Sequence, residues 1–209
     1  MDIHEPHQPV SAQDALKRLM EGNERFLTGS TRFPTLQKEV LASLAQGQHP
    51  YATILGCSDS RVPPELIFDA NFGELFVIRV AGNVLSPEVA GSMQYAGTHL
   101  KTPLFVVLGH EKCGAVQAAL ETKLRKAVHE SRIEHLVQNI LPSLENIDGH
   151  ADPAAQIACA VEANVRWSMR QIAESSEGRA RAAEGAYMLV GAIFEIATGK
   201  VRFLEPIPK

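Results

Sequence analysis

Two short clusters could carry chemistry in this 209-residue chain: Cys57-Ser58-Asp59-Ser60-Arg61 and His110-Glu111-Lys112-Cys113-Gly114. Cys57, His110 and Cys113 together offer two thiolates and an imidazole, a donor set that suits zinc. Three protein ligands rather than four match a catalytic zinc with one position open. A structural zinc would need a fourth ligand. The third of the three cysteines, Cys159 in "AQIACAVEAN", is the candidate, but its helical, Ala-rich setting fits a core role better. Taken alone, Cys57 also reads as a small buried hydrophobe. Other cysteine and nucleotide chemistries are missing. There is no Cys-x-x-Cys pair. The Gly-Lys of "ATGKV" lacks the following Ser or Thr and the spaced glycine of a phosphate loop. The paired signature of the zinc deaminases is absent too.

Each cluster directly follows an apolar run that reads as a strand. "YATILG" (51–56), "ELFVIRV" (74–80) and "PLFVVLG" (103–109) are short, β-branched and aromatic, and are expected to be strands buried on both faces. Between the last two lies "SPEVAGSMQYAGTHL", a helix with Ser86 as cap, Pro87 in first position and Glu88 in the first turn. Residues 74–109 therefore form a strand-helix-strand unit, which implies parallel strands. Sites in open parallel sheets form at the carboxyl ends of strands. If the 51–56 and 103–109 strands are neighbours, the two clusters converge.

The remaining elements are mostly helical. "SAQDALKRLMEGNERFLTG" reads as an amphipathic helix capped by Ser11 and ended by Gly29, with Ala12, Ala15, Leu16, Leu19, Met20 and Phe26 on one face. "LQKEVLASLAQG" reads as a second, shorter helix. Helical patterns recur at about 113–121, 131–147 and 153–177. "AYMLVGAIFEIATGKVRFLEP" reads as two strands joined by a turn at Thr198-Gly199. The expected fold is α/β: a mostly parallel central sheet flanked by helices, with an N-terminal helical arm. One domain is expected over 1–209, with the arm at 11–47 and the α/β core at 51–209.

Bulk properties narrow the partners. A 45% hydrophobic content supports a packed core, and a net charge of −4 without a basic stripe argues against nucleic acid or an anionic membrane surface. No apolar run approaches the roughly 20 residues that span a bilayer. The N-terminus, "MDIHEPHQPV", lacks the charged-then-apolar pattern of a signal peptide. A cytoplasmic location is expected. An odd number of cysteines points to metal or thiol chemistry rather than a disulfide framework.

"CSDSR" followed some 50 residues later by "GHxxCG" resembles the β-class carbonic anhydrases. The stretches "GQHPYATILGCSDSRVPPELIFDANFGELFVIRVAGNV" and "GSMQYAGTHLKTPLFVVLGHEKCGAV" read like that family, with a weaker echo at "VGAIFEIATGKVRFL". The resemblance implies reversible hydration of carbon dioxide to bicarbonate and a proton, with one zinc per chain held by Cys57, His110 and Cys113. It implies that a zinc-bound hydroxide is the nucleophile, that Asp59 orients it by accepting its hydrogen bond, and that Arg61 holds Asp59 ionised. Without the family, the Asp59–Arg61 pair would read as an ordinary ion pair near a helix start.

The same resemblance implies that Gln48 hydrogen-bonds substrate or product, that Phe76 and Tyr95 line the carbon dioxide pocket, and that the Gly114 amide faces the substrate. Without it, Gln48 would read as a loop residue and the two aromatics as core. In relatives whose matching Asp swings onto zinc, a Trp stands three residues before the first ligand cysteine. Ile54 stands there in this chain, which, with Gln48, favours the constitutively open subtype. Ala81 departs from the bulkier aliphatic residue of plant relatives and implies a roomier pocket. The resemblance also implies a homodimer or dimer of dimers, with the N-terminal helix embracing the partner. Two rivals are hydrolysis of carbon disulfide or carbonyl sulfide, which relatives with this fold perform, and an inert zinc-stabilised scaffold.

Overall fold

The computed structural model describes residues 10–32, 41–42, 44–130, 132–185 and 187–205. Half of the second expected helix, over 36–47, lies outside them; residues 41, 42 and 44 are helical. Among the described residues the strands form one five-stranded sheet: β1 (Ala52–Gly56), β2 (Leu75–Arg79), β3 (Leu104–His110), β4 (Met188–Phe194) and β5 (Val201–Phe203). Their order is β2-β1-β3-β4-β5. The first four are parallel, and β5 runs antiparallel to β4. The helices are α1 (Ala12–Leu27), α2 (Pro64–Ile67), α3 (Pro87–Thr98), α4 (Gly114–Arg125), α5 (Ile133–Ile140), α6 (Pro153–Glu174) and α7 (Ser176–Ala183). This is the expected α/β architecture.

The sheet explains why the strand runs look alike and are buried differently. β1 and β3 are central and wholly buried. β2 is an edge strand and only half-buried, which corrects the expectation that all three are covered on both faces. The chain leaves β1 toward β2 on one side and enters β3 on the other. The gap between β1 and β3 is therefore the point where strand order reverses, the usual place for a site in such sheets. In the β1–β3 register Gly56 pairs with Leu108. Cys57 and His110 consequently leave the same carboxyl edge of the sheet within about one residue of each other.

Helix α1 is capped by the Ser11 hydroxyl, which accepts the Asp14 amide. Ala15 and Leu19 are fully buried, and Phe26 packs on Phe194 with ring centroids 6.5 Å apart. Met20, expected on this face, is instead 53% exposed. Gly22 lies so close to the Phe68 carbonyl that any Cβ would collide with it. The next residue, buried Asn23, donates to the Ile67 and Gly199 carbonyls and accepts the Val201 amide. Through Ala15, Leu19 and Phe26, α1 thus packs part of its apolar face on its own chain, while Met20 and Leu27 stay exposed.

The other departures have local causes. The 131–147 pattern is interrupted at Pro142, where α5 gives way to a 3-10 turn over Leu141–Leu144. The 153–177 helix breaks at Ser175, whose extended backbone ends α6 and whose hydroxyl accepts the Gly178 amide to start α7. The β4–β5 hairpin turns at Thr198-Gly199 as expected, with Gly199 at φ 77°.

Candidate active site

Cys57 follows β1, His110 ends β3, and Cys113 caps α4. Between the last two, Lys112 turns through the left-handed region (φ 52°), folding Cys113 back toward Cys57. One ligand atom from each of the three residues lies within 4.8 Å of the others, and all three residues are buried. The two sulfurs are 3.9 Å apart. Tetrahedral zinc with sulfur bonds of ~2.3 Å requires a sulfur–sulfur distance of about 3.8 Å.

The histidine tautomer fits the same reading. His110 Nδ1 faces the Glu111 carbonyl at 2.9 Å and must donate to it. That leaves a lone pair on Nε2, which is buried with no hydrogen-bond partner among the described residues. A buried nitrogen lone pair beside two thiols is a donor set that a soft-ligand cation such as zinc would satisfy. The thiols behave accordingly. The hydrogen bond from Cys113 holds the Cys57 pKa well below the usual thiol range against the opposing effect of burial, and the Gly82 amide adds to it at 3.3 Å. That same bond, burial and the Cys57 charge hold Cys113 protonated. A cation between them would remove the repulsion and release the second proton.

Asp59 stands beside this cluster, its Oδ2 4.0 Å from His110 Nε2. Its Oδ1 accepts the Arg61 amide and Nε, each at 2.9 Å, and its Oδ2 accepts Arg61 Nη2 at 2.7 Å. This bidentate grip holds the carboxyl far below the ordinary carboxylate range, against the opposing effect of burial. Asp59 is thus a fixed, ionised acceptor.

The carbonic anhydrase family profile matches residues 52–201. Carbonic anhydrase 2 of Mycobacterium tuberculosis is 39% identical over 193 residues, covering 92% of this chain and 91% of that protein. The chain belongs to the β-class carbonic anhydrases. The carbonic anhydrase of Mycolicibacterium smegmatis is 38% identical, covering 92% of each chain. The solved β-carbonic anhydrase CcaA superposes with a TM-score of 0.73 at 27% identity, over 91% of this chain and 95% of that one.

Three residues expected at the site of this carbonic anhydrase are not beside its own cluster. Gln48, exposed, precedes β1, whereas Cys57 follows it. The five residues of β1 rise about 16 Å in all. Phe76 pairs with Thr53, three residues short of the Gly56–Arg79 pair at the carboxyl edge. It lies 6.1 Å from the Tyr95 ring, which is 47% exposed. Gly114 is at the site: it opens α4 directly after Cys113, with open space where a Cβ would stand. Ala81 begins the 3-10 turn whose Gly82 amide reaches Cys57. Ile54 is fully buried in β1.

Cys159 is helical but exposed, not part of the core, and is no member of the cluster. Arg79 was not singled out from the sequence, yet it donates to the Cys57 and Asp59 carbonyls at 2.9 and 2.5 Å. It ties down the loop that carries both. Its signal was a lone cation at the end of an apolar strand run.

Proposed function

We propose that this carbonic anhydrase holds one zinc per chain on Cys57, His110 and Cys113 and performs CO₂ + H₂O ⇌ HCO₃⁻ + H⁺ with Asp59 and Arg61 as catalytic residues. The single observation that carries the reading is the placement of an Arg-locked carboxylate 4.0 Å from the orphan nitrogen of a buried Cys-His-Cys cluster. Zinc, when bound there, supplies a Lewis acid that makes water nucleophilic near neutral pH. Asp59 accepts the O–H of the nucleophile and so points its lone pair at the carbon of carbon dioxide. Because Arg61 keeps Asp59 ionised, Asp59 accepts and never donates. The Gly114 amide, free of an intrahelical partner at the start of α4, faces the oxygen that gains charge. The proton leaves to buffer. Asp59 rests on Arg61, which favours the open subtype, and the small Ala81 leaves the substrate side roomy. The 209 residues act as one domain, the arm at 11–47 on the core at 51–209, in a reducing cytoplasmic setting that keeps the paired thiols free.

One purified sample tests this: zinc titration together with stopped-flow hydration of carbon dioxide, run beside an assay on carbon disulfide. The expected result is one zinc per chain and hydration that tracks zinc occupancy. Zinc uptake without hydration would leave the scaffold reading. Turnover of carbon disulfide alone would leave the hydrolase reading.

Gln48, Phe76 and Tyr95 have a place in the same reaction if each chain serves its partner's zinc. All three lie away from their own cluster, toward the amino end of the strands, and are exposed or half-buried there. A homodimer, or a pair of such dimers, would bring them to the neighbouring cluster. Co-expression of a Gln48→Ala chain with an Asp59→Asn chain measures this. If Gln48 acts across the seam, one site in each mixed dimer is intact, and random pairing restores roughly a quarter of all sites. Activity no higher than the average of the two mutant homodimers would refute it.

A further inference from the structure

Helix α6 buries two polar residues on its apolar face. Asn164 and Ser168 are each 1% exposed and stand one turn apart among Ala160, Val161, Val165, Met169 and Ile172. They donate to consecutive carbonyls of the 3-10 turn after β2: Asn164 Nδ2 to Gly82 O at 2.8 Å and Ser168 Oγ to Asn83 O at 3.0 Å. That turn reaches the site, because the Gly82 amide donates to Cys57 Sγ at 3.3 Å. Gly82 sits at φ 71°, and a Cβ there would lie 2.8 Å from Ile140 Cδ1. The turn therefore admits no side chain of its own at Gly82, and α6 holds it from behind.

Packing does not explain an amide at this position. Asn164 Oδ1 is buried with no hydrogen-bond partner among the described residues, a desolvation penalty that a leucine of similar volume would not carry. The Gly82 carbonyl can only accept, so it is Nδ2 that must face it. The donor is what the position supplies.

We propose that Asn164 is a positioning residue for the metal centre: its grip on the Gly82 carbonyl aims the Gly82 amide at Cys57 Sγ. That N–H bond draws electron density from the sulfur and fixes the direction of its lone pairs. Arg79 restrains the same residue from its other side, through the Cys57 carbonyl. The inference rests on the cluster being a zinc site. Outer partners of metal ligands typically change metal affinity by about 10- to 100-fold.

The test uses the full chain loaded with cobalt(II), whose thiolate charge-transfer band reports the sulfur directly, and chelator competition for zinc. Asn164→Leu is compared with wild type and with Met169→Ala. Met169 is buried on the same helix against Gly191 of β4, so its variant loses packing without touching the 81–83 turn. In Asn164→Leu the band should move to longer wavelength and zinc affinity should fall about 10-fold. Met169→Ala should keep the wild-type band and affinity. If Asn164→Leu does not fold, Asn164→Ser is read in its place, with the same expectation, because its hydroxyl is too short to reach Gly82. A wild-type band and affinity in the folded Asn164 variant, or equal changes in both positions' variants, would overturn the proposal. None of these readouts involves carbon dioxide. A wild-type chain that shows the band but fails to hydrate carbon dioxide would sink the proposed reaction alone; one with no band would sink both.

Discussion

A Cys57→Ser chain is expected to purify without zinc, while Cys159→Ser retains one zinc per chain. The contrast follows from where the two thiols stand. Cys57 Sγ is 3.9 Å from Cys113 Sγ and within 4.8 Å of the His110 ligand atom. Its thiolate is already favoured by the hydrogen bonds from Cys113 and the Gly82 amide. A serine hydroxyl does not ionise in that environment and is a poor ligand for a borderline-soft cation. The loss should exceed the about 10- to 100-fold typical of removing an outer partner. Cys159 is exposed on α6 and outside the cluster, so its variant changes neither the donor set nor the core. Metal analysis of both variants by mass spectrometry, with circular dichroism to confirm folding, reads the outcome. Equal zinc loss from both would mean a four-ligand structural site. Occupancy in wild type should also fall as pH drops, since zinc must displace the Cys113 proton.

What the sequence makes legible is set by how local the cause is. β1 and β3 are continuous apolar runs because they lie inside the sheet, and the clusters follow them because that edge carries the chemistry. β2 has the same composition but lies at the edge, and edge position is not written in the run itself. Cys159 misleads for a related reason. In an Ala-rich helix the small residues blur which face is inward, and it is the neighbouring Ala160 that is buried. Asn164 and Ser168 were readable in principle: they are polar residues at the spacing of the buried stripe of α6. Without the turn that accepts from them, such residues look like ordinary helix polarity. Arg79 needs the fold outright, because its partners are carbonyls 20 and 22 residues away in sequence. Gln48 shows the opposite limit. The resemblance names it, while strand direction places it at the far end of the sheet from its own cluster.

Asp59→Asn should keep its zinc and its fold and lose most hydration of carbon dioxide, by about 100-fold or more. Zinc is kept because Asp59 makes no contact that the three ligands need. The fold is kept because the side chain is partly exposed at the mouth of the site, 19% accessible. Activity is lost for a reason of geometry. The carboxylate offers acceptors on both oxygens, and Arg61 uses both. An amide can keep Oδ1 toward the Arg61 amide and Nε, but then its NH₂ faces Arg61 Nη2, donor against donor. Turned the other way, it loses the bonds to Oδ1. Keeping the Oδ1 bonds thus puts a donor where the nucleophile needs an acceptor, while keeping an acceptor there gives up the bonds that fix the group; in both cases the lone pair that should meet the carbon is no longer held on line. The pH dependence separates this from loss of a titrating base. With its pKa depressed by Arg61, Asp59 is ionised at every pH above the ordinary carboxylate range. The midpoint of the activity profile should therefore stay where it is in wild type while its amplitude falls. Stopped-flow rates across pH on a zinc-replete sample measure both. Turnover near the wild-type value would remove Asp59 from the mechanism, and a lost inflexion with full amplitude at high pH would make it a base rather than an orienting acceptor.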